Sequence, residues 1–415
     1  MKNFFKNWFF YTAVLGVILR IFLSVTTLHS DLWAFNFAAG FFNQGVLNIY
    51  EKLHNLPLNV GVARFYGTDF FTWPPLTYFL LGTLHFILTP FFDAQFFNLT
   101  FRNLEVASRD TGLFRHIFLL KLPYFLFDFG ILILLIKLFK EKRQKILAAI
   151  FWLFNPVALY STFMVGQFDV IPTFFVVMAV FLALKKKPEL ALLSLGVGGA
   201  TKIFPLLLIL PTVLVLEKNL WKRLKLVILG LAPFVITVLP FLGSSAFRSV
   251  ALFSAQSQKL LFATINVSGA EGISLAILGY FLILAISGKF AGSQHLWRVF
   301  LFVFLLIFSL SNFHPQWFIW ITPFLIIALV YSFSFWPQIL LIFLSFVGIT
   351  LLFEPSLSIG LFSPLNSTLS QINLAKTVSP HFDIFQLKTI LRSILAAASF
   401  WLGVKVFYFS NLVKK

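Results

Sequence analysis

Long apolar runs recur along the chain, bounded by short polar or charged segments, and their lengths decide the fold class. The first covers 8–28, and others cover 117–139, 146–163, 170–184, 226–243, 272–288, 297–313, 317–333, 336–353 and 389–409. Runs near the ~20 residues needed to cross a bilayer predict membrane-spanning α-helices. Two places break the pattern. Residues 189–201 and 203–216 hold too few residues for two full crossings, and Lys202-Ile203-Phe204-Pro205 interrupts them. They read as a short or broken hairpin, with a single tilted span as the alternative. Residues 75–92 (PLTYFLLGTLHFILTPFF) are apolar but sit awkwardly in the order of crossings. The pattern predicts an all-α polytopic membrane protein with about 12 membrane helices, the hairpin included.

Charge placement orients these elements. Basic residues gather in the short loops Lys137–Lys145, Lys185–Lys187 and Lys218–Lys225, and at Lys414 and Lys415. The positive-inside rule places all of them, and both termini, in the cytoplasm. If 75–92 crossed the membrane, the KEKRQK loop would emerge outside, so this segment is expected to dip into the outer leaflet. Residues 29–116 then form one long external loop with interfacial helices, and 244–271 and 354–388 form two more. The sequons at Asn98, Asn266 and Asn366 fall on the same external side. The N-terminal MKNFFKNWFF runs into the first apolar segment without a small-residue cleavage site and reads as a retained span.

Composition excludes several classes. With 59% hydrophobic and only 11% charged residues, the chain is not a soluble globular protein. It has no Cys, which excludes disulfides, thiolate catalysis and Cys-ligated metals. The net charge of +18 would suggest nucleic acid in a soluble protein. Here membrane topology explains it, and no nucleic-acid partner is expected.

The polar residues that interrupt the apolar pattern are the candidates for chemistry. Asp31 follows the first span in TTLHSDLWAFNF. It could be a base held beside lipid, or it could cap the next helix, since Ser30 and Asp31 are both good N-cap residues. Gly166-Gln167-Phe168-Asp169 forms a tight external turn, readable as a helix–helix connection with Asp169 capping the next helix. His314-Pro315-Gln316-Trp317 forms another, readable as an aromatic interfacial turn. Trp73-Pro74-Pro75 starts the dipping segment, as prolines suit a sharp entry into lipid. Lys202 is a cation among apolar residues. It could meet a phosphate, although snorkelling to the cytoplasmic interface is the simpler reading. Arg20, inside the first span, is expected to pair with an acidic neighbour. Asp31, Gln167, Asp169, His314 and Gln316 share one membrane face, and ionisable groups placed there default to functional hypotheses.

In order and character these motifs resemble the GT-C superfamily of membrane glycosyltransferases, above all the mannosyltransferases of GPI-anchor synthesis and their prokaryotic relatives. The strings that carry the resemblance are Asp31 after the first span, TWPPLTYFLLG, LLKLPYFLFDFG (119–130), NPVALYSTFMVGQFDVIP (155–172), GGATKIFPLLLILP (198–211) and HPQWFIWITPFL (314–325). Together they cover about residues 9–330. The resemblance implies a GT-C-like transmembrane module over 1–243, with a variable C-terminal set of helices over 244–415. It implies inverting transfer of a hexose, mannose favoured, from a polyprenyl-phosphate donor (dolichyl phosphate in a eukaryote) to a lipid-linked or glycan acceptor. Transfer would occur on the non-cytoplasmic face of the plasma membrane in a prokaryote, or of the endoplasmic reticulum in a eukaryote. Asp31 takes the position of the general base. Gln167, Asp169, His314, Gln316, Lys202 and Arg64 are the expected substrate-binding residues. Some relatives carry a Lys before the Pro-Pro pair, where Thr72 and Trp73 stand here. The phosphate contact must then come from His314, Arg64, Arg102 or Lys259. No second acidic residue adjoins Asp31, so no cofactor is demanded, although a divalent cation near Asp169 stays open. A lipid-linked oligosaccharide flippase is the rival. It should show internal repeats and polar groups at the bilayer midplane, whereas here the polar residues gather at one face.

Overall fold

The computed structural model describes residues 2–59, 62–93, 95–96, 104–107, 109–253, 259 and 261–412. Arg102, the sequon at Asn98, and Lys414 and Lys415 lie outside the described residues. The described chain is helical apart from one short antiparallel hairpin, β1 (Thr264–Asn266) and β2 (Gly272–Ser274), with Ile265 opposite Ile273.

Helix α1 (Lys2–Thr26) ends where Thr27, Leu28 and His29 leave helical geometry, and α2 (Ser30–Gly40) departs at 80° to it. The residue that caps α2 is His29. Its backbone is extended and its Nδ1 accepts the Asp31 amide at 3.1 Å. This corrects the expectation that Ser30 or Asp31 caps. Asp31 lies in the first turn instead, where the positive end of the helix favours a carboxylate and its oxygens are not spent on capping. Helix α3 (Pro75–Leu88) follows the Pro-Pro pair, with Pro75 at a position that needs no amide donor.

Six described helices are long and apolar enough to cross a membrane, or seven if the bent α1–α2 pair is one span. The expected twelve are not reached on length. Val170–Leu184 and Thr322–Tyr331, both read from the sequence as crossings, are among five shorter apolar helices. At 1.5 Å per residue such helices reach about 15–25 Å, less than the ~30 Å hydrocarbon core. Large apolar side chains such as Leu126, Ile236, Phe281 and Phe400 lie exposed on the outer helix faces, as lipid-facing surfaces require.

Two local devices shape the interior. On α4 (Leu113–Leu138), Asp128 meets Arg20 of α1 at 2.7 Å, and both side chains are fully buried. Arg20 also donates to the carbonyls of Gly16 (3.1 Å), Leu153 (2.6 Å) and Trp152 (3.3 Å), fastening α5 (Lys142–Leu153) to the pair. The expected partner of Arg20 is thus Asp128. After α5, Asn155 restarts the helix by accepting from the amides of Val157 and Ala158, and a π-helical turn follows over Leu159–Met164. The turn ends at Gly166, whose φ of +74° favours glycine. Gln167, Phe168 and Asp169 then lead into α6 (Val170–Leu184).

The interrupted stretch is indeed broken: α7 (Pro188–Thr201) stops at Lys202, and a 3₁₀ turn (Phe204–Leu208) leads into α8 (Ile209–Leu216). Thr77 of α3 donates its hydroxyl to the Thr201 carbonyl, tying the tip of this unit to the Pro-Pro segment. Gly196 of α7 packs so closely on α9 (Leu220–Val238) that a Cβ there would lie 2.2 Å from the Gly230 carbonyl oxygen. The C-terminal half is fastened to the first at the same end. Tyr160 donates to the Leu357 carbonyl at 2.7 Å, Ser161 to that of Gln316 at 2.8 Å, and the Leu28 amide to that of Leu361 at 2.8 Å.

Candidate active site

At this end the helices enclose a cavity of about 500 Å³. It draws its polar lining from distant parts of the chain: His29 and Asp31, Gln167, Lys202, Lys259, His314 and Gln316, and Glu354. Both the 1–243 and the 244–415 segments contribute.

Asp31 is partly exposed, and one of its oxygens, Oδ2, accepts from Gln167 Nε2 at 2.6 Å. A short charge-assisted bond of this kind fixes the carboxylate plane and leaves Oδ1 for another partner. His29 Nδ1 lies 3.6 Å from the same Oδ2, but it already accepts the Asp31 amide and so carries no proton. Burial lowers the His29 pKa in the same sense. His29 is therefore a neutral cap, not a cation paired with Asp31. Gln167 in turn is set by its own amide, which donates to the Ser161 carbonyl of the π turn at 3.0 Å.

Behind this pair lies a second one. Lys202 Nζ meets Asp169 Oδ1 at 2.7 Å, and Trp320 donates its indole N–H to the same oxygen at 2.6 Å. Lys202 does not snorkel to the cytoplasmic side; the break after α7 delivers it to the cavity. Asp169 caps nothing: α6 begins after it with no side-chain capping bond. Its Oδ2 is buried without a hydrogen-bond partner, as is Oε1 of Gln316. Phe204, Trp320 and Trp317 stack in sequence, with centroids 4.0 and 5.1 Å apart. Lys202 and Lys259 both face the Trp317 ring, at 5.5 and 4.7 Å from its centroid. Such cation–π contacts hold two ammonium groups near one surface, with Lys202 already matched by Asp169.

His314 lines the same cavity. Burial is the main cause of its lowered pKa, with Lys259 and Lys202 adding to it, and together they push it down to about 4. Lys259 is itself lowered by burial and by Lys202. Residues not singled out from the sequence also line the cavity, among them His29, Glu354, just before a 3₁₀ turn (Pro355–Leu357), and Tyr66, whose hydroxyl pKa is raised by burial and by Asp31. Arg64 does not belong here. It is exposed on the short helix Ala63–Tyr66 and is absent from the lining. Among the described residues no group of three or more His, Cys, Asp or Glu side chains is placed to hold a metal ion.

A cavity among membrane helices, mostly apolar in its wall but carrying an oriented carboxylate and clustered cations, suits transfer chemistry on an anionic substrate. Residues 118–355, more than half of the chain, match the model of Glycosyltransferase family 87. The chain belongs to this family of GT-C membrane glycosyltransferases and is a multi-pass membrane enzyme. The match contains Gln167, Asp169, Lys202, Lys259, His314, Gln316 and Glu354; Asp31 precedes it. No curated protein matches the chain.

Proposed function

We propose that this glycosyltransferase moves a hexose, with mannose favoured by the motif resemblance, from a polyprenyl-phosphate donor to a lipid-linked or glycan acceptor. Transfer takes place on the non-cytoplasmic face with inversion at the anomeric carbon. The observation that carries the proposal is the Asp31 carboxylate, oriented by Gln167 at 2.6 Å, in one cavity with Lys202 and Lys259. Asp31 takes the proton of the acceptor hydroxyl, and that oxygen attacks the anomeric carbon. The bond from this carbon to the phosphate oxygen breaks, and its electron pair leaves with the polyprenyl phosphate. Negative charge grows on the phosphate as the bond lengthens, so cations placed there stabilise the transition state more than the bound donor. Lys202 and Lys259 take that part. His314, neutral near pH 7, offers a hydrogen bond rather than a charge. Gln316, which lines the cavity, offers its side-chain amide to a sugar hydroxyl.

The test is transfer from radiolabelled polyprenyl-phosphate mannose by purified protein in lipid. Asp31→Asn, which keeps the shape and loses the base, should lower turnover by about 10²–10⁴-fold. Turnover within about tenfold of wild type would remove Asp31 from that role. Wild-type protein that transfers no sugar yet moves lipid-linked sugar across vesicle membranes would favour the flippase reading.

A further inference from the structure

Lys121 is fully buried on α4 and has no use in the chemistry above. Its ammonium group lies among main-chain oxygens. It donates to the Thr27 carbonyl at 2.5 Å and the Phe163 carbonyl at 2.7 Å, with the Met164 carbonyl at 3.3 Å and Thr27 Oγ1 at 3.2 Å. These oxygens share a physical character. Thr27 directly follows α1, and Phe163 and Met164 close the π turn, so both sets are helix C-terminal carbonyls lacking amide partners along their own helices. Two helix ends of negative polarity thus converge on one cation. Thr27 reinforces the junction with its own hydroxyl, 3.0 Å from the Met164 carbonyl. The chain then turns at Gly166, where an added Cβ would lie 3.0 Å from Lys121 Cε.

The two segments clamped here are the ones that carry the site. Asp31 lies four residues beyond Thr27, and Gln167 lies three beyond Met164. We infer that Lys121 is a positioning residue: it sets the first-span terminus against the π turn so that Gln167 meets the Asp31 carboxylate at bonding distance. Its mechanistic meaning rests on the reading of Asp31 as base; its geometric meaning does not. A buried cation is a costly way to join two helices, and a hydrophobic residue of similar length would fill the volume. Such a residue would leave these buried carbonyls without their ammonium donor, whereas Lys121 satisfies both sets and by doing so fixes their relative position.

Lys121→Met, which keeps length and removes the donors, provides the test, with Lys121→Gln in its place should the Met variant not be recovered folded. In a structure of the variant, the contact between Gln167 and Asp31 should open beyond hydrogen-bond distance. With radiolabelled polyprenyl-phosphate mannose, kcat should fall by about 100-fold, the scale of a misplacement near 1 Å, while donor KM stays within about threefold. Added to Asp31→Asn, the substitution should cost less than about twofold more, because the two act through one group. A variant structure with the contact intact at 2.6 Å would overturn the proposal, as would full multiplication of the two losses. Should Asp31→Asn itself stay active, the base reading fails, and the variant structure still decides the role of Lys121.

Discussion

His314 shows at the scale of one side chain how burial divides work between neighbours. Burial and two nearby lysines push its pKa down to about 4, below the ordinary 6.5. It is therefore neutral across the range from pH 6 to 8, and in the proposed mechanism the charge that meets the donor phosphate comes from Lys202 and Lys259. His314→Gln should leave the shape of the activity profile between pH 6 and 8 unchanged. The sign of the linkage also follows. A His whose folded pKa is depressed contributes fully above its unfolded value and loses that contribution as pH falls. The thermal midpoint of wild type should therefore drop relative to His314→Gln between pH 6.5 and pH 4. Lys259→Gln should raise donor KM and lower turnover together. Loss of one charge-assisted bond, about 1.5–3 kcal/mol, corresponds to roughly 10–100-fold in kcat/KM. Much of this site is legible residue by residue in the sequence. Asp31, Gln167, Asp169, His314 and Gln316 each interrupt an apolar pattern where solvation is costly, and all prove to lie in or against the cavity. The pairing of Lys202 with Asp169 is not legible, because it joins residues 33 apart through a break in a helix. Glu354 and Arg64 sit in long loops without periodicity, and nothing local tells that one faces the cavity and the other does not.

Elements carry their own consequences. The Arg20–Asp128 pair joins α1 to α4 in the buried interior, and Arg20 also holds carbonyls of α5. Removing one partner leaves the other charge unpaired, a loss of about 3–5 kcal/mol. Arg20→Leu should markedly lower the thermal midpoint of the purified protein, and the double variant Arg20→Leu/Asp128→Leu should recover part of it. Gly196 sets the spacing of α7 and α9, so Gly196→Val should force these helices apart. Overpacking of this kind costs about 1–3 kcal/mol or more, readable as a lower midpoint with aggregation in detergent. The hydropathy pattern marks these helices and the break at Lys202 well, because apolar length and interruption are local properties. It counts crossings less well. A run of 15 apolar residues reads as a short span, yet whether it crosses depends on neighbours that cover its ends.

For the whole molecule, the lysine-rich loops and the cavity belong to opposite ends of the helices, so the positive-inside rule predicts cytoplasmic loops and an external cavity. Reporter fusions should therefore be active as cytoplasmic markers after residue 140 and at the C-terminus, and as external markers in the 354–388 loop. A reversal at any of these points would overturn the orientation. The cavity at the end away from the lysine-rich loops has one further consequence. Its wall includes the stacked Phe204, Trp320 and Trp317, with two ammonium groups against the outermost indole. An anion that draws those ammonium groups away alters the electric field across an excited indole. If the proposed donor binds there, adding polyprenyl-phosphate mannose to the Asp31→Asn protein should change its tryptophan emission without any turnover, and Trp317→Phe, which removes one of the ten Trp, should reduce that change.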